Sequence, residues 1–208
     1  MYNLKYNLII LVEIMAKINI IDEKYICFGS YPQNGTINEP IKWRIIKKED
    51  NVITLITDKI LMSFMYDRYY SDYKECAARK YIHEEFIPIA FTKEEYDMIL
   101  PTELENGIVD KVFIPSLEDL SVLKQEERII KVTPYAESKG ASGYPSYTKK
   151  ELAIKGNGWY WTRTPYKPPY NPTNEREVYY VTYSGWISSR VTVGHDIGIV
   201  PIIRLKIE

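Results

Sequence analysis

The chain carries two histidines, His83 and His195, and two cysteines, Cys27 and Cys76, so few groups are available for nucleophilic or metal chemistry. His195 is followed by Asp196, and an imidazole beside a carboxylate can serve as a general base. With Arg163 the pair defines the alternative reading of the chain, an enzyme of unassigned class. No nucleophile motif accompanies the pair: G-x-S-x-G, a P-loop, H-E-x-x-H and C-x-x-C are all missing from the sequence. His83 falls in a helical segment where packing explains it, and two distant histidines make no zinc set. No catalytic residue, metal site or cofactor is therefore assigned.

The stronger chemical signal is aromatic. Tyr144, Tyr147, Trp159, Tyr160, Trp161, Tyr166, Tyr170, Tyr179, Tyr180, Tyr183 and Trp186 crowd one stretch of the chain. Tyrosine and tryptophan give large contact areas at low side-chain entropy cost and dominate binding hot spots. Strand alternation puts Trp159, Trp161 and Arg163 on one face and Tyr160 and Thr162 on the other, so core packing claims several. The loop tyrosines have less reason to be buried. The candidate binding set is Tyr144, Tyr147, Trp161, Arg163, Tyr166, Tyr170, Tyr183, Trp186, Arg190 and His195, with Lys167 as a further polar partner. These residues are expected to recognise a protein, with carbohydrate as the second choice, through loops at 140–172 and a hairpin at 183–197. A subunit of a larger assembly is a third reading, and the sequence does not set the oligomeric state.

The elements that must hold these residues alternate little. Strands are expected from Lys24 to Tyr31, at 41–46 and at 52–57, the last two joined by the polar turn Lys48-Glu49-Asp50-Asn51 into a hairpin. Asp72 with Glu75, Thr92 with Glu95, and Ser116 mark three helix starts. Strands return at 158–163 and 178–193, the latter a second hairpin, and a final strand runs from Gly198 to Ile207. Strands, short helices, then strands again, without βαβ alternation, imply an α+β fold.

Composition agrees with a globular domain. Of 208 residues, 45% are hydrophobic and 26% charged, and the net charge is −1. A nucleic-acid partner would call for a basic excess, which is absent. Leu8 to Val12 is apolar but Glu13 ends the run, too short to span a bilayer. No membrane partner is expected, and Met15 offers a second start that would make residues 1–14 an extension. Two cysteines are too few for a disulfide scaffold and suit a reducing cytoplasm, with secretion as the other possibility. The expected organisation is an extension or first strand at 1–23 and one domain at 24–208.

A set of ordered landmarks adds to this reading. They are Phe28-Gly29-Ser30-Tyr31-Pro32-Gln33, Pro40-Ile41-Lys42-Trp43-Arg44, the helical run from Cys76 through Arg79 to Phe86, and Asp110-Lys111-Val112-Phe113. Pro134-Tyr135-Ala136, Trp159-Tyr160-Trp161-Thr162-Arg163-Thr164-Pro165 and Gly198-Ile199-Val200-Pro201 complete the series. From about Lys24 to Leu205 the chain resembles a bacterial domain family of unassigned activity, itself similar to C-type-lectin-like folds. That broad group includes formylglycine-generating enzymes and hypervariable ligand-binding proteins. The resemblance implies a mixed, mainly antiparallel sheet with flanking short helices and long loops, and it does not imply one activity. Formylglycine-generating enzymes hold copper on a late cysteine pair, and no cysteine follows Cys76 here, so that chemistry does not carry over. Val200 stands where the family pattern has an arginine, leaving Arg204 or Arg190 as substitutes.

Overall fold

Apolar residues at alternate positions bury Ile26 and Phe28 on one side of strand β2 (Tyr25–Pro32), and Gly29 then resets the alternation. Gly29 has φ +67°, and the pairing with the next strand slips between Cys27 and Ser30, a β-bulge. A Cβ at Gly29 would collide with the Ala90 carbonyl and the Phe91 ring, so only glycine fits this close approach. In the computed structural model, which describes residues 19–141, 156–167, 169, 171, 176–192 and 194–207, β2 belongs to a six-stranded sheet.

That sheet runs β1-β2-β3-β4-β15-β9, every neighbour antiparallel. Its strands are β1 (Asn19–Ile20), β2, β3 (Asn38–Glu49), β4 (Val52–Thr57), β9 (Val112–Phe113) and β15 (Ile202–Lys206). The β3–β4 hairpin forms about the polar turn, as its sequence predicts. A five-stranded sheet has the order β13-β12-β11-β14-β6. It contains β6 (Met62–Met65), β11 (Tyr160–Pro165), β12 (Glu177–Val181), β13 (Ile187–Thr192) and β14 (Asp196–Ile199), antiparallel except for β11 with β14. Two small pairs complete the strands: β5 (Lys59–Ile60) parallel to β10 (Lys131–Val132), and β7 (Thr102–Glu103) antiparallel to β8 (Val109–Asp110).

The chain end differs from the single closing strand expected. It makes β14 in the five-stranded sheet, breaks at Val200-Pro201, and enters the six-stranded sheet as β15 between β4 and β9. Pro201 has no N–H to continue a ladder, so the break falls there. The two sheets share one apolar cluster, with Trp43 and Leu55 from one and Tyr160 and Trp161 from the other.

The helices are short. Cys76 caps α1 (Ala77–Tyr81) through its sulfur, which accepts from Arg79 N at 3.3 Å. Asp72 instead accepts from Lys74 N in a turn, so the expected start at Asp72 moves to Cys76. A π-helical turn, Ile82–Phe86, links α1 to α2 (Ile87–Ala90). The capping boxes at Thr92/Glu95 and Ser116/Asp119 form and open α3 (Lys93–Met98) and α4 (Leu117–Ser121). Thr133 caps α5 (Pro134–Ser138). The architecture is α+β with mostly antiparallel sheets. Among the described residues, no helix is long and apolar enough to cross a membrane.

Candidate functional site

The β12–β13 hairpin closes through residues 182–186, and this turn is tied down from several sides. Thr182 N donates to Trp186 O and Gly185 N to Thr182 O, both at 2.9 Å, while Trp186 N donates to Thr182 Oγ1 at 3.2 Å. Gln125 Nε2 reaches Ser184 O at 3.0 Å and Arg128 Nε reaches Gly185 O at 3.0 Å. Arg128 is itself held from the core, since the buried Tyr160 hydroxyl donates to its carbonyl at 3.0 Å. Asn157 Nδ2 adds a bond to Tyr183 O at 3.3 Å. Gly185, at φ +77°, lies so near the Gln125 carbonyl that a Cβ there would overlap it. Trp186 leaves this turn 62% exposed, while Tyr183 beside it is half-buried. An indole in water on a backbone already fixed by hydrogen bonds is preorganised for contact.

Arg163 occupies a different place. It is 7% exposed, and its guanidinium bonds Glu105 (Nε–Oε2 2.7 Å), Asp119 (Nη1–Oδ2 2.6 Å) and the Ile114 carbonyl (2.7 Å). Burial works against its charge, but the two carboxylates outweigh it and hold Arg163 cationic. Asp119 also bonds Ser116 N and Oγ, so one carboxylate both caps α4 and anchors the arginine. Arg163 thus serves as a joint between β11, α4 and the loop at Glu105. It borders a cleft of about 420 Å3 whose walls also carry Thr102, Glu103, Glu118 and Arg204.

A third polar cluster lies under α1. Asp110, with its side chain 1% exposed, receives two bonds from Arg79 (Nε–Oδ2 2.7 Å, Nη2–Oδ1 2.8 Å). His83 Nε2 is 3.2 Å from Oδ1 but out of line for a good hydrogen bond. Burial alone would raise the Asp110 carboxyl, yet Arg79 and His83 overcome it and hold it at about 2. Cys76 nearby is pushed up to about 12 by burial, so it stays a thiol at neutral pH and is a poor nucleophile.

The sequence-derived binding set divides accordingly. Trp186 and Tyr183 meet at the tethered turn, and Tyr166 sits half-buried with its ring edge-on to Tyr179 at 5.2 Å. Trp161 requires correction. It is 0% exposed, donates from Nε1 to Phe64 O at 2.9 Å, and packs edge-on against Tyr66, so it is a core side chain and not part of an exposed face. Arg163 is likewise turned to internal carboxylates rather than presented on the hairpin face. His195 and Asp196 are exposed and do not line the cleft that Arg163 borders. Tyr144, Tyr147 and Tyr170 lie outside the described residues, as does the side chain of Arg190. Val200 is buried in the core. Gln125 and Arg128, which tether the turn, carry no motif that would have marked them in the sequence.

The fold and these sites define an α+β domain that presents an aromatic turn and a charged cleft. Residues 50–207 match the family model described as Domain of unknown function (DUF6273), and the chain belongs to that family. No curated protein and no solved structure matches it.

Proposed function

We propose that this protein is a non-catalytic binding module that grips a protein partner through the turn bearing Trp186, with Tyr183 beside it. The observation that carries this reading is Trp186 itself, 62% exposed on a turn whose backbone is fastened to the loop at 124–128. A large apolar ring kept in water on a rigid support gains contact area on binding with little ordering cost. A protein surface suits a single projecting indole as a knob for a partner's pocket, with carbohydrate stacking second. The mixed, mainly antiparallel sheets with short helices also suit a C-type-lectin-like scaffold, on which loops and turns vary in what they bind.

The test compares immobilised wild type, Trp186→Ala, and a control altered at another exposed hydrophobe, Ile37→Ser. Partners captured by wild type and the control and identified by mass spectrometry should be lost with Trp186→Ala, all three proteins melting alike. An identical captured set for Trp186→Ala, or none for wild type, rejects the reading.

A further inference from the structure

The cleft beside Arg163 has a charge pattern that its internal pairs leave incomplete. Lys47 bonds Glu49 at 2.8 Å, and Arg163 is matched by Glu105 and Asp119. Of the remaining charged groups on its walls, Arg204 is half-buried on β15, while Glu103 and Glu118 are exposed. Arg204 has no carboxylate within ion-pair distance among the described residues, although Glu49 on the same cleft feels its charge, and its Nε is buried without a hydrogen-bond partner. Thr102 Oγ1, on the same cleft, is also buried and unpartnered. Buried polar atoms without partners are costly, so a molecule that accepts from them recovers part of that cost. The residual pattern is one guanidinium and one hydroxyl, with two exposed carboxylates.

We propose that this cleft binds a small zwitterion of the free amino acid type. Its carboxylate pairs with Arg204 and Thr102, and its ammonium sits between Glu103 and Glu118. The volume of about 420 Å3 accommodates such a molecule with its side chain. A simple anion would meet the two exposed carboxylates, and a simple cation would meet Arg204. Only a ligand bearing both charges matches both ends. None of the residues of the 182–186 turn lines the cleft, so the site is separate from the partner surface.

The probes are the standard free amino acids at millimolar concentration, read by thermal shift and then by calorimetry. One or more should raise the melting temperature, because a ligand bound only by the native state stabilises it. The N-acetyl and amide derivatives of the same amino acid, each missing one charge, should lose the effect. Arg204→Gln, and separately Glu103→Gln with Glu118→Gln, should weaken binding by about tenfold or more, the scale of one lost charged hydrogen bond. Trp186→Ala should leave binding unchanged, which separates this test from that of the partner surface. If Arg204→Gln does not fold, the exposed carboxylate pair decides. No shift with any amino acid, equal binding of the N-acetyl derivative, or affinity that survives the carboxylate substitutions overturns the proposal.

Discussion

Arg163 shows how much one buried charge can organise. Its guanidinium ties β11 to the α4 cap and to the Glu105 loop, and burial is tolerated because two carboxylates and a carbonyl complete its bonding. Replacing it with Ala strands Asp119 and opens the joint, at a cost of about 3 kcal/mol by urea denaturation. Arg163→Lys should recover little of this, because an ammonium cannot span the same fork. Asp110 makes a pH prediction. Its native value of about 2 is below the ordinary carboxylate range, so its contribution is complete above that range and is lost as pH falls. Stability should fall between about pH 4 and pH 2 by about 2 kcal/mol on this account. Asp110→Asn should be less stable at neutral pH by a similar amount and flatter across that acid interval.

Local signals set the starts of the elements, and tertiary contacts set their use. The capping box at Thr92 and the cap at Ser116 act where their sequence places them, since a cap is satisfied within its own first turn. The Asp72 start fails because Asp72 spends its oxygen on Lys74, leaving Cys76 as the cap. At the 182–186 turn, Gly185→Ala is the informative change. The added Cβ meets the Gln125 carbonyl and the positive φ disfavours it, so about 1–3 kcal/mol should be lost. If the turn's tethers position Trp186, Gly185→Ala should also weaken partner capture while leaving the indole in place. Full capture by a folded Gly185→Ala protein would show that the tether is not required.

At the scale of the molecule, the crossing at Val200-Pro201 joins the two sheets. β15 is hydrogen-bonded on both sides, by β4 and β9, whereas β1 and β13 are edges among the described strands. Amide exchange should therefore be slower in β15 than in the edge strands β1 and β13. Exchange in β15 as rapid as in the edges would contradict this arrangement. The sequence landmarks also find their reason at this scale. Trp43 Nε1 donates to Phe28 O, Tyr135 N donates to Gln33 O, and Arg79 pairs with Asp110. Segments far apart in the chain thus form each other's joints, which makes these landmark residues structural.

The amino-acid sequence by itself determined the α+β class, both hairpins, the Thr92 capping box, the Ser116 cap and the aromatic-rich late stretch. These depend on neighbours in the chain, through alternation, turn residues and caps. Only the tertiary structure decided which aromatics face water. Trp161 and Trp186 are the same residue type in neighbouring segments, yet one fills the core beside Tyr66 and the other projects from a turn held by Gln125 and Arg128. The cleft was illegible for the same reason. Its walls come from β3, β4, β7, β9, α4, β11 and β15, and their charges acquire meaning only once packing has brought them together.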